Sequence, residues 1–334
     1  MKIAFFETEK WEQEYIKTKL KNHNLLFFDS ELNEKNVFRV KDSEVVCCFI
    51  YSKITKNILD YLPKLKAVMT MSTGFDHINL EECRRKNVVV CNVPYYGENT
   101  VAEHTFALIL SLSRKIVDSV ERTKSDNFSL TGLRGFDLKN KTLGVIGPGH
   151  IGQHVIRMAN GFEMKIIAFA HHQDKSLSRK LNFKYVSLEK LLQNSDIITI
   201  HCPLNEDTHH LIDMNNVKLI KKGAFLINTA RGSIIDTKAL IYALQNRILS
   251  GAGLDVLEGE CEIKEEKQLL HKKFVEACDW QIVIENHMLL KNKNVIVTPH
   301  NAFNSKEALL RILDTTIENI ISFNKKKPKN IIKV

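Results

Sequence analysis

The sequence predicts an α/β protein built from two doubly wound parallel sheets. Short β-type runs alternate with helical ones from the N-terminus to about residue 98, and a second series of strands begins at Thr142. The first strand–helix junction of that second series reads Gly147-Pro-Gly149-His-Ile-Gly152. Alternation of this kind is the pattern of parallel strands joined by helical crossovers, and 334 residues leave room for two domains of ordinary size.

Taken in order, the first lobe reads KIAFF as a strand, then a polar helix from about Lys10, the strands LLFF and VVCCFI, a helix near Lys56 to Leu62, and the strand KAVMTM. Asn99 or Thr100 is placed to cap a helix that starts at Val101 and runs through AEHTFALILSLSRKIVDSVE. Its apolar residues cover much of the circumference, which predicts burial between lobes or subunits. The second series comprises TLGVIG, KIIAFA, DIITIH, AFLINT, GAGLD and NVIVTP, with helical segments between the first five. A helix with a period near 3.6 residues is predicted from Ser305 to Phe323. There is no internal repeat and no low-complexity segment.

Composition narrows the class. The chain is 44% hydrophobic and 26% charged, ordinary for a globular protein. A net charge of +9 suggests a polyanion partner, yet the lysines are scattered and the compact run Lys325-Lys326-Lys327 reads as a solvated tail, so no nucleic-acid surface is expected. Seven cysteines without CxxC spacing fit a reducing compartment, and Cys47-Cys48, inside an apolar run, should pack as small hydrophobes. No apolar stretch approaches the length of a bilayer span, and the expected location is the cytoplasm, away from membranes.

TLGVIG before GPGHIG, with IGQHVIRMANGF as a helix after it, makes the glycine run a dinucleotide fingerprint. Gly147 permits the tight turn, Gly149 lets the backbone approach a pyrophosphate, and Gly152 lets helix and strand pack closely. The phosphates would sit at the helix N-terminus, where unpaired N–H groups favour negative charge. The acid that usually reads the adenosine ribose, about 20 residues on, is missing: the strand KIIAFA ends at Ala170, followed by His171 and His172. These imidazoles, with Lys175 and Arg179 nearby, suit the 2′-phosphate of NADP, and a neutral histidine suits the NAD ribose equally.

Three further residues each follow a strand. Arg231, in INTARGSIID, offers a fork of donors matched to a carboxylate. His300, in VTPHNAF, can exchange a proton with a carbonyl or hydroxyl oxygen. Glu260, in LDVLEGE, would hold that imidazole in one orientation and favour its charged form.

The motifs TLGVIGPGHIGQ, HCPLNEDTHHLI, LINTARGSIID, GAGLDVLEGE and VTPHNAF, with STGFDHINL and NVPYYGENTVAEH in the first lobe, resemble the NAD(P)-dependent D-isomer-specific 2-hydroxyacid dehydrogenases, and the chain is most similar to the D-lactate dehydrogenase branch. The resemblance implies a Rossmann cofactor domain, residues 99–301, inserted into a flavodoxin-like substrate domain made of residues 1–98 and 302–334. Hinges would lie near Asn99 and His300, and two subunits would form a homodimer with a contribution from the Val101 helix.

It further implies reversible reduction of a 2-oxo acid, pyruvate or a near relative, to the D-2-hydroxy acid, with Arg231, Glu260 and His300 catalytic. His150 and Ile151 would meet the pyrophosphate, with Cys202, Pro203 and Thr208 at the adenosine side and Thr229, Ala230 and Asp255 at the nicotinamide end. Thr73 and Gly74 would bind the substrate carboxylate through a turn, and Tyr51 and Tyr96 would close over the substrate. Two departures stand out. Ala170 replaces the usual acid, so NADP(H) joins NAD(H) as a candidate coenzyme, and with it a glyoxylate or hydroxypyruvate reductase. Glu260 and His300 are also farther apart than in the phosphoglycerate dehydrogenase branch, and the intervening stretch reads as helical segments anchored by residues such as Trp280. A dinucleotide-sensing protein of the corepressor type shares this fold and is the reading from outside enzymology.

Overall fold

A computed structural model describes residues 1–259 and 280–332. The chain divides into two compact units, one of Met1–Tyr96 with Ser305–Val334 and one of Gly97–Asn304. Each is an α/β unit around a wholly parallel sheet, the fold class the sequence predicts.

The first unit contains β1 (Lys2–Phe5), α1 (Lys10–Lys19), β2 (Asn24–Phe27), β3 (Val45–Cys48), α2 (Lys56–Asp60), β4 (Ala67–Thr70), α3 (Leu80–Arg85) and β5 (Val89–Cys91). Its strand order is β2-β1-β3-β4-β5. Successive residues serve opposite faces: Ala4, Phe6, Val46, Cys48 and Val68 join one core, while Ile3, Phe5, Val45, Cys47 and Met69 join the other. Both faces are therefore buried, which is why these strands read as unbroken apolar runs rather than alternating ones. Cys47 and Cys48 are free, buried thiols, pushed well above the ordinary cysteine range by that burial. The α3–β5 pair went unread in the sequence because β5 is a three-residue edge strand.

The second unit contains α4 (Glu98–Ser113), α5 (Ile116–Lys124), β6 (Thr142–Ile146), α6 (His150–Gly161), β7 (Lys165–Phe169), α7 (Lys175–Leu181), β8 (Lys184–Tyr185), α8 (Leu188–Asn194), β9 (Ile197–Ile200), β10 (Ala224–Asn228), α9 (Thr237–Gln245), β11 (Leu249–Leu254), α10 (Trp280–Leu290) and β12 (Val295–Val297). Its order, β12-β11-β10-β9-β6-β7-β8, reverses direction between β6 and β9. The predicted C-terminal helix is α11 (Lys306–Asn324), which belongs to the first unit and is capped by the Ser305 hydroxyl at Ala308 N–H.

The Val101 helix departs from expectation in two ways. It begins at Glu98, capped by neither Asn99 nor Thr100: Gly97 is the cap residue, the Asn99 side chain bonds Glu103, and Thr100 is buried in the first turn. It also breaks at Lys115, which adopts a left-handed φ of 54°. The Ser113 carbonyl accepts from Phe136 N–H instead, and a Cβ on Gly135 would lie 2.1 Å from that oxygen, so the returning chain occupies the space the next turn would need. The apolar surface of α4 is absorbed by the core of its own unit, against α6, β10 and β11. Between β9 and β10 the connection carries only a 3₁₀ turn at Val217–Leu219, not a longer helix.

In the first unit the strand order reverses between β1 and β3, and Glu7 closes that point. Its backbone is left-handed, at φ 58°, and its carboxylate accepts from Phe49 N–H at 3.0 Å, Tyr51 N–H at 2.9 Å and the Ser52 hydroxyl. Ser52 in turn accepts from Leu32 N–H at 2.9 Å. Burial pushes the Glu7 carboxyl up, and these hydrogen bonds oppose the rise without cancelling it. The Glu7–Phe49 bond also accounts for β3 ending at Cys48. In Glu7→Gln one acceptor becomes an NH₂ group facing an N–H or O–H donor, so unfolding should become easier by about 1–3 kcal/mol. A thermal melt of the variant at or above the wild-type midpoint would refute this account of the loop.

Candidate active site

All seven strands of the second unit are parallel, so the loops after them emerge at one edge, and those after β10, β11 and β12 are neighbours. Arg231 follows β10 and His300 follows β12, while Glu260, after β11, lies outside the described residues. The cofactor fingerprint follows β6, on the other side of β9. Sheet order thus brings together residues spread over 150 positions of sequence in about the span of a few strands, each about 4.8 Å from the next.

The fingerprint has the shape a dinucleotide requires. Gly147 has φ +86°, and a Cβ there would stand 2.7 Å from Cys202 N, so the turn fits against the chain leaving β9 only because it has no side chain. A Cβ on Gly152 would lie 2.4 Å from the Gly147 carbonyl oxygen, which fixes how closely α6 approaches the turn. Gly149 differs: it is the N-cap of α6, supplies no side-chain cap, and has no protein atom within 4 Å of its ideal Cβ. The backbone at Gly149 is thus free of side-chain crowding at the start of α6, where a helix N-terminus favours a phosphate. His150 reaches Glu98 Oε1 at 3.4 Å.

After β7, Ala170 is followed by exposed His171 and His172, with the His171 ring set edge-on to Phe169 at 5.5 Å. The one carboxylate in this loop, Asp174, caps α7: it accepts from Ser176 N–H at 2.8 Å, Leu177 N–H at 3.1 Å and the Ser176 hydroxyl at 2.6 Å. These three bonds all fall on Oδ1, which is thereby committed to the helix cap. Cys202 is half-buried, its thiol raised to about 11 by burial. The Thr208 hydroxyl is turned into its own loop, donating to Pro203 O at 2.6 Å and accepting from Asn205 N–H at 2.8 Å, so it shapes the segment after Cys202 and Pro203.

At the other end, buried Asn228 organises the Arg231 turn. Its side-chain oxygen accepts from Ala230 N–H at 3.0 Å and its NH₂ donates to Arg231 O at 2.9 Å. Thr229 pairs its hydroxyl with Thr105 at 3.0 Å. Arg231 is half-buried, with Nη1 donating to Ala230 O at 2.8 Å. Gly232 is packed so tightly that a Cβ would fall 2.1 Å from the Leu257 carbonyl carbon and 2.2 Å from Glu258 N. The turn of Arg231 therefore rests directly on the chain that leads to Glu260.

Asp255 is the hub of this region. It is 1% exposed, and its carboxylate accepts from the Thr298 hydroxyl at 2.5 Å, Ala302 N–H at 2.8 Å and Asn301 N–H at 3.0 Å, with His104 Nε2 at 3.4 Å. Burial alone would raise its carboxyl; the hydrogen bonds from His104, Thr298 and the two N–H groups outweigh that and hold it below the usual aspartate value. The Asp255 carbonyl also accepts from His300 N–H at 2.9 Å, and His300 takes a left-handed φ of 50°. The loop carrying His300 is thus wrapped around one buried anion.

His104, Thr298 and Asn228 were not picked out from sequence. A histidine in the otherwise apolar run of α4 and a buried Asn one residue before the Thr229-Ala230-Arg231 run were the available signals.

In the first unit, Tyr51, Thr73, Gly74 and Tyr96 all lie in loops after the C-terminal ends of β3, β4 and β5. Tyr51 is 58% exposed. The Thr73 turn is braced by Ser72 donating to Gly74 O at 2.6 Å, by the Thr73 hydroxyl donating to Val93 O at 2.8 Å and by Asn92 donating to Thr73 O at 2.9 Å. The Tyr96 carbonyl accepts from Arg311 Nε at 2.6 Å.

Comparison with known proteins agrees with this architecture. Residues 106–302 match the family model described as the NAD binding domain of D-isomer specific 2-hydroxyacid dehydrogenases. D-lactate dehydrogenase of Escherichia coli is 33% identical over 331 residues, covering 97% of each chain. Among solved structures, D-lactate dehydrogenase from Aquifex aeolicus complexed with NAD and lactic acid superimposes with a TM-score of 0.85 at 35% identity, over 97% of this chain and 96% of that one. The pyruvate reductase of Chlamydomonas reinhardtii gives a TM-score of 0.89 at 31% identity, over 98% and 97%. With a glycine cradle shaped for a dinucleotide and relatives aligned along nearly their whole length, the chain belongs to the D-isomer specific 2-hydroxyacid dehydrogenases, enzymes that move a hydride between NAD and a 2-oxo acid/2-hydroxy acid pair.

Proposed function

We propose that this enzyme reduces pyruvate to D-lactate, reversibly, with Arg231, Glu260 and His300 as its catalytic residues. The observation that carries the assignment is the Asp255 hub, which fixes the His300 loop two strands from the Arg231 turn. The D-lactate dehydrogenases and the pyruvate reductase among its relatives support the choice of substrate.

The Arg231 guanidinium would clamp the substrate carboxylate through paired N–H donors and polarise the adjacent carbonyl oxygen. His300 would donate a proton to that oxygen during reduction and take it back during oxidation, and Glu260 would orient its imidazole. Bound NAD(H) supplies or accepts the hydride at C2. We assign its phosphates to Gly147, Gly149, His150, Ile151 and Gly152, its adenosine side to His171, Cys202, Pro203 and Thr208, and its nicotinamide side to Thr229, Ala230 and Asp255. For Asp255 the proposal is specific: with its carboxylate engaged by Thr298, Asn301 and Ala302, it acts by holding the surrounding loop. In the first unit we assign Tyr51, Thr73, Gly74 and Tyr96 to substrate contacts.

The enzyme would also accept NADP(H), and with it glyoxylate or hydroxypyruvate become alternative substrates. Ala170 and two exposed imidazoles favour that second reading, since an uncharged side chain stands at the end of β7 where an acid is usual. We further propose a cytoplasmic homodimer. Ile116, Val117 and Val120 on α5, with Phe128 and Leu130 after it, leave apolar surface exposed for a second subunit. The buried cysteines at 47, 48, 83 and 91 are free thiols, as a reducing compartment maintains. No described helix is long and apolar enough to cross a membrane.

The direct test is the rate of reduced-nicotinamide oxidation with NADH and with NADPH against pyruvate, longer 2-oxo acids, hydroxypyruvate and glyoxylate. Turnover should be fastest with pyruvate, and silence on every 2-oxo acid would overturn the assignment. Arg231→Lys should lower kcat/KM for pyruvate by about a hundredfold or more through loss of the bidentate fork, and His300→Asn should lower kcat about 10²–10⁴-fold. Near-wild-type turnover in either variant would remove that residue from the mechanism. Ala170→Asp should depress kcat/KM with NADPH far more than with NADH; equal effects on both would show that this position does not read the 2′ substituent.

A further inference from the structure

Behind the Arg231 turn, two loops of the second unit place three metal-ligating side chains together. His209 and His210 lie in the loop after β9 and Glu258 in the loop after β11, and one ligand atom from each falls within 4.8 Å of the other two. We propose that His209, His210 and Glu258 form a binding site for a divalent zinc-like ion, made of side chains other than those assigned to the dinucleotide and to catalysis, with His209 next to Thr208 in the loop after β9.

The framework is held on every side. His210 Nε2 and Glu258 Oε1 are 2.7 Å apart, Thr237 donates its hydroxyl to Glu258 Oε2 at 2.8 Å, and Asn286 on α10 donates to the Glu258 carbonyl at 2.8 Å. His210 has a left-handed φ of 49°, with its N–H donating to Ser233 O at 2.9 Å. A clasp between the two loops needs only His210 and Glu258, so it leaves His209 unexplained. The His209 ring lies against that of His210, centroids 4.0 Å apart and planes 28° apart, and among the described residues its nitrogens make no hydrogen bond. Exposed at the surface, it supplies both an uncommitted lone pair and the entry path for an ion.

The chemistry of the set selects the ion class. Two imidazoles and one carboxylate are a three-ligand set for zinc, with water completing the tetrahedron, and imidazole favours zinc, copper and nickel over magnesium or calcium. At bond lengths of about 2.1 Å the ligand atoms of such a tetrahedron stand about 3.4 Å apart. The His210–Glu258 pair, now 2.7 Å apart, would open slightly to reach that spacing, and the 4.8 Å envelope of the three ligand atoms leaves the rest to side-chain rotation. The ion would tie the β9 loop to the β11 loop directly beneath Gly232, whose backbone already packs on Leu257 and Glu258.

The test is titration of the full-length, tag-free enzyme with ZnCl₂ by calorimetry, together with the visible spectrum after addition of Co²⁺. One saturable equivalent should bind, with a four-coordinate cobalt spectrum and a rise in the thermal midpoint. His209→Ala, at an exposed position, should fold and turn over substrate normally without metal, yet weaken that equivalent by more than about a hundredfold, beyond the usual effect of losing an outer-shell partner. Glu258→Gln, which preserves the shape of the clasp, should do the same. The control His171→Ala/His172→Ala should retain it. Absence of a saturable equivalent, its survival in His209→Ala, or its loss in the His171/His172 control would each overturn the proposal.

Discussion

Everything at the edge of the second unit depends on its seven strands running parallel. In a parallel sheet every strand delivers its C-terminal loop to the same side, and each crossover must travel over a face, so both faces are covered and the sheet interior is dry. Leu226 and Ile227 serve opposite cores for this reason, as do Ile197 and Ile198. Where the order reverses, between β6 and β9, crossovers leave in opposite directions and a crevice opens. Gly147 sits there, and its lack of a side chain lets the β6 turn lie on the chain after β9. The cradle follows from topology plus the missing side chains of Gly147 and Gly152.

The other half of the edge depends on a buried anion. Asp255 would be a liability if unpaired, since removing the partners of a buried charge costs about 3–5 kcal/mol. Here the desolvation penalty is overturned by hydrogen bonds from residues 298–302 and by His104 on α4. That arrangement ties β11 to the loop after β12 and turns His300 into a left-handed conformation uncommon outside glycine. The strained backbone is over-determined by its surroundings, the condition under which such conformations persist at functional positions. Glu7 plays a comparable part in the first unit, drawing the loop of Tyr51 and Ser52 onto the β1 end with its own carboxylate.

The loop after β7 combines an absence and a commitment. Ala170 stands where an acid is usual, and Asp174, four residues on, caps α7 through its Oδ1. Only the first of these facts is visible in the order of residues. A carboxylate in a loop can face a ribose or cap a helix, and its partners decide which.

The sequence by itself determined the two parallel sheets, the fingerprint and the positions of Arg231 and His300 at strand ends. These are local signals: apolar runs, glycine spacing and strand–turn–helix order act within a few residues of one another. It did not reveal the break at Lys115, because what stops α4 is Phe136 bonding Ser113 from further along the chain. Nor did it reveal the duties of Glu7 and Asp255, whose partners lie 45 residues away for Glu7 and as far off as His104 for Asp255. A carboxylate beside a strand looks the same in sequence whether it faces water, a ligand or another loop. Only the tertiary structure decides, because the hydrogen bonds that make its burial tolerable exist only after distant strands have paired.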